Sequence, residues 1–320
     1  MSRALLIVAL LLAAPMPASA DDYPQRTVTF ICPFPAGGGT DILTRMLAQE
    51  LQDKLKQPFI VENRPGAATI LAASTVAKSA PDGYTLLLAP ITTLALNPNV
   101  YKSLPYDPVK DFAPIGLVGQ SEFVLVANPK LGAATFAELI AQIKAKPGEM
   151  SFGTSGRGTP HHIFMELLIR MADLKMQHVP YRGSGPALMD VVSGVIPLMI
   201  VDLAVALPMI REGKVKAYAV PSPERVKALP EVPTVAEAGI PGYGATGWFS
   251  VVARAGTPRS AIDTINRVLT DYIQRPDVQD KLLAIGIRPR TSTPDKLAAY
   301  IVSESDKWAL VVREAGITPE

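Results

Sequence analysis

The sequence predicts an α/β protein of two lobes, each a β-sheet flanked by helices, with a ligand cleft between them. Three observations carry this. Short apolar, β-prone runs alternate with helical periodicities, the pattern of strand–helix–strand units. The alternation runs twice along the chain, and a C-terminal part then returns with one more strand and further helices. Each series also holds a glycine-bearing loop between a strand and a helix, a geometry that offers backbone N–H groups to an anion.

The elements follow in order. Arg3, the apolar run 4–14 and Ala18-Ser19-Ala20 have the form of a cleavable export signal over 1–20. The run is too short for a membrane-spanning helix, which needs roughly 20 apolar residues. The mature chain is expected to begin at Asp21, exported to the periplasm. Strands are expected over 27–34, 59–63, 84–89 and 114–118, with helices over 41–56 and 67–79, which together predict a parallel sheet covered by helices. The second series places strands at 123–127, 151–153, 177–180, 198–201 and 215–220, and helices at 136–146, 160–172, 186–195 and 205–212. A proline- and glycine-rich crossing, "PSPERVKALPEVPTVAEAGIPGYG", interrupts any long element. A strand over 248–253 and helices over 259–274, 277–285 and 294–315 complete the chain. The division read from this order is one domain of 21–121 plus 224–320 and a second of 122–223, with the ligand expected in the cleft between them.

Composition removes several function classes. Setting Arg3 aside, 31 basic residues become 30 against 29 acidic ones, which is no concentrated basic surface for nucleic acid. Three histidines and one cysteine show no metal-ligand spacing, so no metal site is expected. Cys32 has no partner for an internal disulfide and lies in an apolar run, as a core residue would. A chain of 320 residues must then rely on a large apolar core.

Two loops carry the chemistry. In "FICPFPAGGGTDILTRMLAQEL", Gly37, Gly38 and Gly39 allow a tight turn and close approach of N–H groups, and Thr40 or Asp41 is placed to cap the following helix. The spacing is neither G-x-G-x-x-G nor G-x-x-x-x-G-K-[ST], no lysine follows to meet a phosphate, and no cofactor is expected. Asp41 would repel a multiply charged phosphate. In "SFGTSGRGTPHHIFMELL", Thr159 is a natural N-cap and Pro160 a natural first helical residue. Thr154, Ser155, Gly156, Arg157 and Gly158 are left facing whatever lies at the strand end. One such loop per lobe suits a small organic anion held from both sides.

The sequence resembles the tripartite tricarboxylate transporter substrate-binding family, the Bordetella-uptake-gene type of extracytoplasmic solute receptor. The resemblance covers essentially all of the mature chain and rests on "PFPAGGGTD" (33–41), "VENRPGA" (61–67), "APDGYTLLL" (80–88), "NPNVYKSLPYDPVKDFAPI" (97–115), "HVPYRGSGPAL" (178–188), "LPEVPTVAEAGIPGY" (229–243) and "RAGTPRSAIDTINR" (254–267). It implies a two-domain type II periplasmic-binding-protein fold, a Venus flytrap with a mixed sheet in each domain. It also implies closure on a carboxylate and its delivery to membrane transporter subunits; a monomer is expected, and the loop donors with Phe34, Ile70 and Ile91 favour a mono- or dicarboxylic acid with an apolar or aromatic body over an amino acid such as aspartate.

The ligand contacts expected on this basis are Phe34, Ala36, Gly37, Gly38, Thr40, Asp41, Ile91, Thr92, Thr93, Thr154, Ser155, Gly156, Arg157, Gly158, Thr159, His162, Tyr181 and Asp202. Three departures from the family pattern bear on them. Ala68-Thr69-Ile70 stands where the family commonly has Gly-Gly-Asn, and Pro90-Ile91-Thr92-Thr93 replaces a serine- or glycine-rich turn. The acidic residue of a common Asp-Asn pair is shifted to Asp202. Ile70 and Ile91 make that part of the cleft more apolar. Arg157 stands where the family usually has a neutral residue, either to grip a carboxylate through two bonds or as a solvated loop side chain. His162 matches the family position and His161 does not. The rival class is a secreted hydrolase with Ser155 as nucleophile and a nearby histidine as base, but Ser155 lies in G-T-S-G rather than G-x-S-x-G.

Overall fold

The computed structural model of the chain describes residues 23–319; the expected export signal over 1–20 lies outside the described residues. The first sheet comprises β1 (Val28–Cys32), β2 (Phe59–Asn63), β3 (Thr85–Pro90), β4 (Phe112–Ser121), β10 (Gly247–Arg254) and β11 (Ile287–Arg288), in the order β11-β4-β10-β3-β1-β2. β1 runs parallel to β2 and β3, as short strand–helix–strand connections require. The all-parallel expectation stops there. β10 enters from the far end of the chain and pairs antiparallel with both β3 and β4, so the sheet is mixed. Local periodicity carries no information about such an insertion.

The second sheet comprises β5 (Phe123–Ala127), β6 (Ser151–Thr154), β7 (Gln177–Pro180), β8 (Leu198–Asp202) and β9 (Lys216–Ala219), in the order β7-β6-β8-β5-β9. β6 is parallel to β7 and β8, and β5 is antiparallel to β8 and β9. The expected architecture, two mixed sheets flanked by helices, is therefore present. The chain passes between the sheets at Glu122 and again through 220–246. Arg288 ties these passages together, with ion pairs to Glu122 at 2.9 Å and Glu224 at 2.8 Å.

Helices cover both sheets. α1 (Gly39–Leu55) buries Leu43, Leu47 and Leu51, spaced by four, together with Val28, Phe30, Leu86 and Leu88 of the sheet. α2 (Ile70–Ala77), α3 (Asn97–Val100), α8 (Arg259–Ile273) and α9 (Pro276–Ala284) complete the first lobe. α4 (Phe136–Ala145), α5 (Pro160–Met171), α6 (Ser184–Ser193) and α7 (Leu203–Arg211) surround the second sheet. The last helix, α10 (Pro294–Glu314), belongs to both. Its Glu304 accepts hydrogen bonds from the indole N–H groups of Trp248 and Trp308, both at 3.1 Å and both fully buried. Farther along, Trp308 stacks on Phe164 of α5 at 5.2 Å, and Glu314 pairs with Arg170 at 2.8 Å.

Two stretches depart from the expected helices. A helix was expected from residue 67, yet α2 starts at Ile70 because Ala67, Ala68 and Thr69 all have positive φ, at 44°, 48° and 75°. Left-handed backbone at three consecutive non-glycine residues is strained. Neighbours hold it there: the Ala68 carbonyl accepts from Asn97 Nδ2 at 2.8 Å, and the Thr69 and Thr93 hydroxyls bond at 2.7 Å. After β3 the chain forms a π-helical turn, Thr92–Leu96, which leads into the short α3.

Candidate functional site

A cavity of about 520 Å³ lies between the lobes. Its size is that of sites for small organic molecules, roughly 300–1,000 Å³. The first lobe contributes the Pro33–Pro35 turn, Thr40, the strained 66–69 stretch, Ile91, Thr92, Trp248 and Phe249. Ser121 and Phe123 line it where the chain crosses between the sheets. The second lobe supplies Ser155, Thr159, Pro160, His161, Gly183, Ser184 and Asp202. The lobes also touch around it: a Cβ on Gly158, whose φ is +71°, would stand 3.0 Å from Val100 of α3. Only glycine fits that turn at that approach.

Two helix N-termini border the cavity, α1 at Thr40 and α5 at Thr159 to His161. The first N–H groups of a helix lack intrahelical acceptors, and its dipole favours negative charge there. The first loop is held from within. Asp41, only 3% exposed, accepts from Gly37 N at 2.9 Å, Arg45 Nε at 3.0 Å and Asn63 Nδ2 at 2.8 Å. Asn63 Nδ2 also donates to the Phe34 carbonyl at 3.0 Å, tying β2 to the turn. Burial pushes the Asp41 carboxyl up, but the hydrogen bonds from Arg45, Gly37 and Asn63 outweigh it and bring it down to about 2. Asp41 is thus an ionised strut inside the loop. The N-cap is Gly38, so neither Thr40 nor Asp41 caps α1 from the cap position.

The second loop is similarly braced. Thr154 is fully buried, and its hydroxyl meets His178 Nε2 at 2.7 Å and accepts from Gly156 N at 3.2 Å. Gly158 N donates to His162 Nδ1 at 3.1 Å, and the His162 ring stacks on His178 with centroids 3.9 Å apart. Desolvation, with the neighbouring His162 and Arg157 charges, lowers the His178 pKa to about 4. The Thr159 hydroxyl turns back to the Gly156 carbonyl at 2.7 Å rather than capping α5. Tyr181 stands behind the loop, its hydroxyl on Asp190 at 2.6 Å; desolvation and Asp190 push that hydroxyl up to about 12.

One hydrogen-bonded series runs along the second lobe's wall. Ser155 Oγ lies 2.7 Å from His161 Nδ1, and His161 Nε2 lies 2.8 Å from Asp202 Oδ2. Desolvation raises the Asp202 pKa, but the His161 contact, its own backbone N–H and the Ser184 hydroxyl together hold the carboxyl below its ordinary value. Asp202 is the one permanently charged side chain among the described residues lining the cavity.

Of the residues expected from the sequence, Phe34, Thr40, Ile91, Thr92, Ser155, Thr159 and Asp202 line this cavity. Ala36, Gly37 and Gly38 form the exposed outer part of the first loop, and the Gly37 N–H is taken by Asp41. Thr93 lies fully buried behind the wall, and Thr154, Gly156, Gly158, His162 and Tyr181 brace the second loop from behind. Arg157 is exposed, and its Nη2 donates to the Thr318 carbonyl at 3.3 Å. His161, Ser184, Trp248 and Phe249 line the cavity as well; the sequence places 181–184 in a cleft loop without singling out Ser184, leaves His161 between packing and ligand contact, and marks Trp248 as core, where it is fully buried. His161 carried a usable signal, since Pro160 starts the helix and sets the next side chain beside the loop.

The family profile for the tripartite tricarboxylate transporter family receptor matches residues 43–317. Protein BugT of Bordetella pertussis is 40% identical over 320 residues, covering 99% of this chain and 98% of that protein. Among solved structures, R. palustris Rpa4515 with adipate has a TM-score of 0.83 at 34% identity, covering 93% of this chain and 100% of that one. MatC (Rpa3494) from Rhodopseudomonas palustris with bound malate has a TM-score of 0.77 at 33% identity, covering 91% and 100%. The chain belongs to the tripartite tricarboxylate transporter family of solute receptors.

Proposed function

We propose that the protein is a periplasmic receptor that takes one small organic carboxylate into the cavity between its lobes and delivers it to membrane transporter subunits. The observation that carries this reading is the cavity of about 520 Å³ walled by both lobes and bordered by the N-termini of α1 and α5. Those helix ends favour a carboxylate. Phe34, Ile91, Phe123 and Phe249 offer an apolar wall to the ligand's body. The two related receptors hold adipate and malate, acids that differ in length and in whether they bear a hydroxyl.

In this reading the domains are 21–121 with 224–320 and 122–223, the receptor acts as a monomer, and export removes residues 1–20. An intact N-terminus in the mass spectrum of a periplasmic fraction would refute the last point. The Ser155–His161–Asp202 contact is the one feature that favours a hydrolase. Against it, the N–H groups of Gly156 and Gly158 beside Ser155 already have acceptors, which removes the nearest donors for an oxyanion. A thermal-shift screen over aliphatic and aromatic acids tests the receptor reading. A ligand that binds only the folded state raises stability by roughly 2.7 kcal/mol at a hundredfold excess over Kd. Stoichiometric retention of a labelled acid supports the receptor, and turnover supports the hydrolase.

A further inference from the structure

The Ser155–His161–Asp202 series has a direction, and the direction limits what can sit against it. A carboxylate only accepts hydrogen bonds, so His161 Nε2 must donate to the ionised Asp202. In the neutral ring Nδ1 is then an acceptor, and the Ser155 hydroxyl donates to it. For a neutral His161 ring this proton placement follows from the donor and acceptor inventory of the three groups. The Ser155 proton is thereby used, and its oxygen offers only lone pairs.

The patch of wall formed by Ser155 and Asp202 therefore accepts hydrogen bonds and carries negative charge. A ligand carboxylate placed against it would meet lone pairs and like charge. The N-terminus of α1 at Thr40, across the same cavity, offers the opposite character.

From this juxtaposition we infer that the ligand is a hydroxycarboxylic acid, with its carboxylate at the α1 N-terminus and its hydroxyl donating to Asp202 beside Ser155. This rests on the carboxylate-receptor reading given above and narrows it. A hydrogen bond to a charged acceptor is worth roughly tenfold to a hundredfold in affinity.

Titration calorimetry on the processed protein, with acids that differ by a single hydroxyl, tests it. The pairs are succinate with malate, and phenylacetate with mandelate. The hydroxy acid should bind at least about tenfold tighter in the pair that fits the cavity. D202N places an NH₂ donor where an acceptor stood, and the preference should fall to within about twofold. S155A should reduce the preference without abolishing it. Equal affinities for the two members of a pair in the wild type would overturn the inference and leave the receptor reading intact, as would a preference that survives D202N. Because the wild-type comparison decides the matter alone, a poorly folded variant does not rescue the idea. Binding of none of the four acids would overturn the inference, and the carboxylate reading with it only if the wider thermal-shift screen also finds no acid that binds.

Discussion

Asp41 offers the sharpest test of how the first loop is held. Replacing it with Asn keeps the shape of the side chain and removes its charge, leaving an amide NH₂ to face three donors. The carboxyl is lowered from 3.8 to about 2, and at roughly 1.4 kcal/mol per pKa unit the ionised form contributes about 2 kcal/mol to stability. The folded-state pKa lies below the unfolded one, so this contribution is complete above about 3.8 and is lost as pH falls through about 2. Urea unfolding of wild type and D41N, followed by circular dichroism, should show a difference of about 2 kcal/mol at roughly neutral pH, shrinking toward zero near about pH 2. Any misfit of the amide itself adds a part that does not change with pH, so the change with pH isolates the charge. A difference that is the same at both ends of the range would refute the strut assignment.

Two further outcomes follow from the geometry. Left-handed backbone costs an alanine roughly 1–2 kcal/mol, and a glycine's extra freedom when unfolded offsets about 0.4–1 of that. A68G should therefore stabilise the protein by about 0.5–1 kcal/mol in urea unfolding; a loss would mean that the Ala68 methyl contributes more by packing than its backbone costs. R157A should leave acid affinity within about twofold by calorimetry, because the guanidinium reaches the Thr318 carbonyl at the surface. A tenfold loss would bring Arg157 into the site.

What could be read from the sequence was local. The runs that became β1 and β5 are apolar and β-prone throughout, and each ended up almost wholly buried. Both glycine loops announced themselves, because positive φ at Gly37 and Gly158 needs glycine wherever the rest of the chain goes. What stayed hidden depends on partners far apart. Asp202 meets His161 across 41 positions, and nothing near either residue marks the pairing. Trp248 and Phe249 reach the cavity because β10 inserts between β3 and β4, a choice made by the assembled sheet. Asp41 looked like a group facing the ligand because its turn back onto Gly37 is set by Arg45 and Asn63. The left-handed run at Ala67 to Thr69 contradicts the helical preference of its own residues, and contacts with Asn97 and Thr93 override it.

The position of α10 limits how such a molecule can open. Two strand passages alone would let the lobes bend about many axes. The Phe164–Trp308 contact adds a clamp beside both passages, since Phe164 also meets Phe123 at 5.2 Å and its carbonyl accepts from the Tyr243 hydroxyl at 2.8 Å. Both rings are fully buried, and exposing two side chains of this size would cost roughly 1.5–3 kcal/mol each. A motion that swings the lobes apart at that point is therefore opposed, so opening must keep α10 seated on α5 and bend the chain on the far side of the Arg288 ion pairs.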